Sequence, residues 1–338
     1  MMMISMMRVV VLLWWCASTA VCALCEGVST VDVSSYVRGE KEATDLDLED
    51  QRKATALAFD AAMREVGMAC VTGHGVAASV IDEAERWAKM FFALPAARKV
   101  DGGSGSYGFE GYTPRGVEAV GRSTGDETSA ADAVESYVFT SRPTFPMTGP
   151  YWDEMVRVLG VLLEVSADLG YDFREAYHDF EGDVSLALKF AHYVEDPSAA
   201  FRYSRHTDYL TFTILRATQP GLQVELANST FVDVRVDPAA LVVNAADLTE
   251  LWTNGRWRSA PHQVIQGAHE GDRDSIVFFT GPSLGHLVQP ILRPGDEAPR
   301  FDPVVAGDYL RRKIDPTTVL APERRAGEKS KEDSNDEF

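Results

Sequence analysis

Residues 206–215 read His-Thr-Asp-Tyr-Leu-Thr-Phe-Thr-Ile-Leu, a histidine and an aspartate two places apart at the mouth of a β-branched and aromatic run. The run predicts a strand over 209–216, and side-chain alternation along a strand would turn His206 and Asp208 to the same face. Working outward, similar short runs occupy 185–194, 221–226, 230–236, 241–244, 262–266 and 274–280, each bounded by turn residues. Many short strands at close spacing predict a sandwich or barrel and not a parallel sheet with helical crossovers.

The first half has a different texture. Residues 45–100 predict helices, with one apolar stripe on Leu57, Phe59, Met63 and Val66 and another on Val80, Ala84, Trp87, Met90 and Phe91. Between them Met68–Thr72 reads as a short strand ending at Gly73-His74-Gly75, where His74 is a turn residue before it is a ligand. Residues 101–133, rich in Gly, Ser and Thr and carrying Tyr112 and Arg115, read as a long loop over a site. Helical spacing returns over 150–180 through Trp152, Met155, Leu159 and Leu162, and 322–338 form a charged, solvated tail.

Bulk properties narrow the function. The 338 residues hold 32 Lys+Arg against 51 Asp+Glu, a net charge of −19, which argues against a nucleic-acid binder. Arg8, the apolar run Val9–Trp15 and the small residues Ala17, Ala20 and Ala23 have the layout of a secretory signal peptide over 1–25, with an uncleaved anchor as the alternative. Cys16, Cys22 and Cys25 lie in or beside that leader, so Cys70 alone remains for the folded part and no disulfide framework is expected. Entry to the secretory pathway (the ER lumen, the exterior or an organelle reached through it) is the expected localisation, the cytoplasm the alternative. On that route Asn228-Ser229-Thr230 would be a glycosylation acceptor.

Chemistry concentrates in the second half. His206 and Asp208 supply two ligands of one face, and His262, which opens the strand after Arg258-Ser259-Ala260-Pro261, is the candidate third. Two imidazoles and a carboxylate on one face of an octahedral metal leave the opposite positions open. Arg273 and Ser275 share a face of the next strand, and a guanidinium fork beside a hydroxyl suits a carboxylate, such as one end of a dicarboxylic co-substrate. His178, His192, His269 and His286 have no carboxylate at ligand spacing and read as structural or surface groups. Tyr112, Arg115 and Phe279 are weaker pocket candidates, for which packing is the plainer reading.

With those residues in place, the chain resembles the isopenicillin N synthase-like branch of the 2-oxoglutarate- and Fe(II)-dependent dioxygenases over roughly residues 30–312. The matching pieces are Gly67–Val76 (GMACVTGHGV), Gly111–Glu118 (GYTPRGVE), His206–Leu215, Gly221–Val224 (GLQV), Leu241–Val264 and Arg273–Phe279 (RDSIVFF). The resemblance implies a mainly β fold with α, a double-stranded β-helix (jelly roll) behind a helical N-terminal part. It divides the chain into the leader 1–25, an N-terminal region 26–180, the jelly-roll core 181–312 and the tail 313–338.

It implies Fe(II) on His206, Asp208 and His262, 2-oxoglutarate anchored by Arg273 and Ser275, and Tyr193, within Lys189–Val194, lining the co-substrate pocket. Ascorbate is a further candidate cofactor. A small organic substrate would be hydroxylated, desaturated or cyclised with O2, giving succinate and CO2, and the functional unit is expected to be a monomer. Two departures stand out: Ala191 where many relatives have asparagine, and Ala246 where glycine is common. An iron oxidase that does not use 2-oxoglutarate, and a non-catalytic binding or sensing homologue, remain the alternatives.

Overall fold

Two β-sheets assembled from strands far apart in the chain form the centre of the protein, in a computed structural model that describes residues 27–37, 45–100, 110–177, 184–199 and 201–318. The leader, most of the tail and His178 lie outside the described residues. In chain order the first half contributes β1 (Thr30–Asp32), α1 (Ser34–Val37), α2 (Asp45–Glu65), β2 (Met68–Thr72), α3 (Ala78–Phe92), α4 (Ala96–Val100), β3 (Gly111–Thr113), β4 (Val134–Phe139) and α5 (Gly149–Asp168). There follow β5 (Val184–Tyr193), β6 (Phe201–His206), β7 (Phe212–Ala217), β8 (Leu222–Glu225), β9 (Phe231–Asp233) and β10 (Leu241–Ala245). The described chain closes with α6 (Asp247–Trp252), β11 (His262–Ile265), β12 (Arg273–Ser283), the short pair β13 (Leu287–Val288) and β14 (Val304–Val305), and α7 (Ala306–Ile314).

The large sheet has the order β1-β2-β10-β7-β12-β5-β4-β3 and the small one β6-β11-β8-β9. Every pairing in the two is antiparallel except β1 with β2. This is the sandwich the strand spacing predicted and the jelly-roll core the resemblance implied, with strands from before residue 180 completing the large sheet.

Period-two alternation explains both faces of the large sheet. Leu186, Leu188 and Phe190 of β5 and Leu241, Val243 and Ala245 of β10 turn outward into the core shared with the helices. Ala191, Tyr193 and Val242 turn the other way and pack with Leu222, Val224 and Val264 of the small sheet. Each fully buried Leu, Val or Phe is worth about 1.5–3 kcal/mol relative to exposure, so a slip of one residue, which exchanges the two faces, is strongly disfavoured.

Helices α2, α3 and α5 cover the outer face. Tyr151, Trp152, Met155, Leu159 and Leu162 form the buried stripe of α5, and Trp152 meets Phe278 of β12 edge to face at 5.1 Å. The buried face of α2 runs through Ala56, Phe59, Ala62 and Met63 and that of α3 through Ile81, Ala84, Ala88 and Phe92. Leu57 at 56% exposure and Met90 at 60% therefore depart from the stripes read in the sequence: each sits one or more positions off the helical face that touches the sheet.

One contact set couples the N-terminal helices to the strand that begins at His262. Trp257 is fully buried, stands 5.6 Å edge-to-face from Phe59 of α2, and donates its indole N–H to Asp60 Oδ1 at 3.0 Å. Arg256 grips the same carboxylate at 2.8 and 2.7 Å. Gly67, leaving α2 with φ +82°, lies where an added Cβ would come within 2.3 Å of the Arg258 carbonyl, so only glycine lets the chain pass. No helix among the described residues is long and apolar enough to cross a membrane.

Candidate active site

His206 closes β6, and its register partner across the small sheet is His262, the first residue of β11. That pairing sets the imidazole centroids 4.3 Å apart. The strand read as beginning near 209 begins at Phe212, so Asp208 reaches the same place from a loop and not by strand alternation. Backbone N–H groups at the start of α6 hold that loop: Asp247 N donates to the Asp208 carbonyl at 3.0 Å and Leu248 N to the Leu210 carbonyl at 2.8 Å.

The three side chains are buried, and one ligand atom from each lies within 4.8 Å of the others. Asp208 Oδ1 is 3.6 Å from His206 Nε2 and 3.8 Å from His262 Nε2. Both rings have Nδ1 against the carbonyl two residues earlier, Ser204 O at 2.8 Å and Ala260 O at 3.1 Å. A carbonyl only accepts, so each Nδ1 carries the proton and each Nε2 presents its lone pair to the common point. Asn244 donates to Asp208 Oδ2 at 2.8 Å, which leaves Oδ1 for that point. Burial alone would raise the Asp208 carboxyl, yet the His262 and His206 rings hold it well below the usual carboxylate range. Burial, and then His206 beside it, lowers His262. Neutral imidazoles and an ionised carboxylate are the donor set a divalent first-row cation takes, so the residues fit the metal.

A narrow cavity joins the triad to Tyr193, Arg273 and Ser275. Arg273 is 1% exposed; its Nη1 donates to Ser275 Oγ at 2.8 Å and its Nε lies 3.2 Å from the carbonyls of Gln219 and Pro220. Its Nη2 has no hydrogen-bond partner. Ser275 Oγ donates to the Tyr193 hydroxyl at 3.3 Å, and the guanidinium lies 5.1 Å from the centre of the Tyr193 ring. A buried guanidinium with an unused N–H and no carboxylate bonded to it calls for an anion. The donor set fits one carboxylate of a keto diacid.

A second, larger cavity of about 430 Å³ also borders His206 and Asp208. Its apolar wall includes Val120, Val138 and Leu210, with Leu310 and Ile314 contributed by α7. Helix α7 is fastened over it: Tyr309 donates to Asp247 Oδ2 at 2.7 Å and Lys313 pairs with the same oxygen at 2.9 Å. Inside, Lys189 Nζ meets Glu118 Oε2 at 2.5 Å, the Tyr203 hydroxyl donates to that oxygen at 3.0 Å, and Ser136 donates to Oε1 at 2.5 Å. Burial would raise the Glu118 carboxyl, but the Lys189 ammonium and the two hydroxyls hold it below its ordinary range.

Residues 31–154 match the family described as "non-haem dioxygenase in morphine synthesis N-terminal", and residues 183–282 match the "2OG-Fe(II) oxygenase superfamily". A gibberellin 2-beta-dioxygenase 6 of Oryza sativa subsp. japonica is 30% identical over 251 residues, covering 70% of each chain. The chain belongs to the 2OG-Fe(II) oxygenase superfamily, in its isopenicillin N synthase-like branch. A leucoanthocyanidin dioxygenase 1 of the same plant is 28% identical over 296 residues, covering 78% of this chain and 77% of the relative. Among solved structures, a full-length Neurospora crassa protein in complex with alpha-KG superposes with a TM-score of 0.69 at 21% identity, over 85% of this chain and 96% of that one, a likeness of fold.

Within this oxygenase fold the sequence-predicted groups fall into two sets. His206, Asp208 and His262 converge, and Arg273, Ser275 and Tyr193 converge beside them. Phe279 lines both cavities. Tyr112 instead donates to Glu135, and Arg115 pairs with Asp196 at the surface. His74 accepts from Val76 N at 3.1 Å inside its turn, while His192 bonds Asp274 at 2.7 Å and stacks on Phe92. Ala246 has φ −105°, a conformation open to any residue, which explains why glycine is not needed there. Asn244, Glu118 and Lys189 went unread as site residues. For Lys189 the sequence held a signal, since it lies four places before Tyr193 and so shares its strand face.

Proposed function

We propose that this 2-oxoglutarate-dependent oxygenase holds Fe(II) on His206, Asp208 and His262, binds 2-oxoglutarate against Arg273, Ser275 and Tyr193, and oxidises a small, largely apolar organic molecule in the adjoining cavity. The observation that carries the reading is the pairing of a buried two-histidine, one-carboxylate set with an unpartnered buried Arg273 Nη2 in the connected cavity. An oxidase without the keto acid would leave that guanidinium without an anion.

When bound, the iron and the keto acid supply the oxidising chemistry with O2, yielding succinate and CO2. The chain's own part is geometry. The Ser204 and Ala260 carbonyls fix the imidazole tautomers, and Asn244 fixes the Asp208 carboxylate. Arg273 and Ser275 hold the far carboxylate of the co-substrate so that its other end lies toward the metal ligands. The α7 side chains Leu310 and Ile314 exclude water from the reacting face.

The test is stoichiometric. Purified protein supplied with Fe(II) and 2-oxoglutarate should release succinate and CO2 in equal amounts, consuming O2, and a small-molecule panel should contain members that accelerate the release. Substrate-dependent O2 uptake with no requirement for 2-oxoglutarate would instead favour the oxidase reading. Passage through the secretory route belongs to the same proposal, supported by the 1–25 sequence pattern and by the exposure of Asn228. N-terminal sequencing of the mature protein tests it.

A further inference from the structure

Lys189 and Glu118 meet inside the larger cavity, and neither is required to hold the metal or the keto acid. Along the inward face of β5, Ser185 and Ala187 line the larger cavity, Tyr193 lines the narrow one, and Lys189 lines both. Lys189 thus stands where substrate and co-substrate spaces join. Among the described residues it is the one lysine or arginine lining the larger cavity.

An ammonium carries three N–H donors. Glu118 Oε2 takes one and the Tyr203 hydroxyl, at 3.3 Å, another, which leaves one for a molecule entering the cavity. The Tyr203 ring stands edge-on to His206 with centroids 5.0 Å apart, so a ligand on Lys189 lies beside the triad. Both charged side chains are only 12% exposed. A buried ion pair is a poor device for stability alone, since well-packed apolar residues serve as well or better.

We propose that Lys189, held by Glu118, is the specificity-determining anchor for the oxidised substrate, and that this substrate is uncharged, mostly apolar and offers one hydrogen-bond acceptor, a carbonyl or hydroxyl oxygen, to Lys189 Nζ. The inference rests on the larger cavity being the substrate site of the oxygenase. A substrate carboxylate would lie against Glu118, whose charge already balances Lys189, and a substrate ammonium would face Lys189 itself. The rest of the wall, with Val120, Val138, Leu210, Leu310 and Ile314, suits a hydrocarbon frame, and about 430 Å³ accommodates a small multi-ring molecule.

Binding of four matched probes to the full chain, loaded anaerobically with Fe(II) and 2-oxoglutarate, tests this: 2-acetylnaphthalene, 2-ethylnaphthalene, 2-naphthoate and 2-naphthylmethylammonium. The ketone should bind about tenfold tighter than the ethyl analogue, the worth of one charge-assisted hydrogen bond, and tighter than either ion. K189M should erase the ketone preference. Because it strands a buried carboxylate, K189M/E118Q is measured beside it, with the same expectation. E118Q, which frees the lysine charge, should raise 2-naphthoate above the ketone. Equal binding of ketone and hydrocarbon to the wild type, naphthoate as its tightest ligand, a ketone preference surviving in the double variant, or binding of none of the four would each overturn the proposal. Titration of the same preparation with 2-oxoglutarate alone separates the two readings. Its failure would tell against the oxygenase reading while the ketone-to-hydrocarbon ratio still reports on Lys189.

Discussion

Asn244 donates from Nδ2 to Asp208 Oδ2 over 2.8 Å, and this contact decides which carboxylate oxygen faces His206 and His262. Without it Asp208 keeps a bond from Thr213 but loses the amide that fixes Oδ2. N244A should weaken Fe(II) binding about 10–100-fold, as removal of a group that orients a metal ligand does, with the unfolding midpoint of the metal-free protein little changed. Anaerobic iron titration of the two proteins checks it. Unchanged affinity would mean that the α6 backbone amides alone hold the loop.

Arg273 differs from the other buried arginine nearby. Arg202 donates to the carbonyls of Tyr193, His269 and Gly271, whereas Arg273 keeps Nη2 unsatisfied. R273M should raise the dissociation constant for 2-oxoglutarate by about 30-fold or more, the effect of losing one partner of a buried charged pair. R273K should fall between, since an ammonium lacks the planar fork. Calorimetric titration with 2-oxoglutarate reads both, and wild-type affinity in R273M would remove the arginine from the co-substrate site.

The parts of the site legible in the sequence were those carried by local pattern. Val242, Val243 and their neighbours announce β10, and Arg273 with Ser275 share a strand face by simple alternation. Strand β6 was not legible, because Phe201–His206 intersperses Arg202 and Arg205 among aromatics and lacks the β-branched residues that mark its neighbours. Strand β4 was missed for a different reason: Val134, Tyr137, Val138 and Phe139 are strand formers, but the six residues stand alone between the Gly- and Ser-rich stretch and α5, away from the run of strands that begins at 184. Asn244 and Asp208 are 36 positions apart and Glu118 and Lys189 71 apart, and such partnerships arise only when the sheets close. Leu57 and Met90 show the opposite failure, apolar residues read into a helical stripe but lying on a face that the helix turns to solvent.

Trp257 is the point at which α2 is fastened to the segment leading into His262. W257A removes a fully buried indole and one hydrogen bond to Asp60, whose carboxylate Arg256 still holds, and should cost about 3–5 kcal/mol of unfolding free energy. Denaturant titration measures it. A loss below about 1 kcal/mol, the range of ordinary surface changes, would show that the two halves are held together elsewhere.

His192 makes stability pH-dependent away from the metal site. Burial would lower it, but the hydrogen bond and charge of Asp274, with Asp272 and Glu135 nearby, raise it above the ordinary histidine value. A raised value means that the folded state favours the proton. The stabilisation is complete below about pH 6.5 and disappears as pH rises through the folded-state value. The difference in melting temperature between wild type and H192N should therefore be larger near pH 6 than near pH 9. A difference that grows with pH would reverse the sign and the assignment.

The central claim is that His206, Asp208 and His262 together hold one Fe(II). Equilibrium dialysis of the full-length protein against Fe(II) without oxygen, with H206A, D208A and H262A in parallel, tests it most directly. One tightly held iron per wild-type chain, lost from each variant while the chains remain folded, is the expected result; wild-type protein that retains no iron, or variants that retain it as well as the wild type, would contradict it.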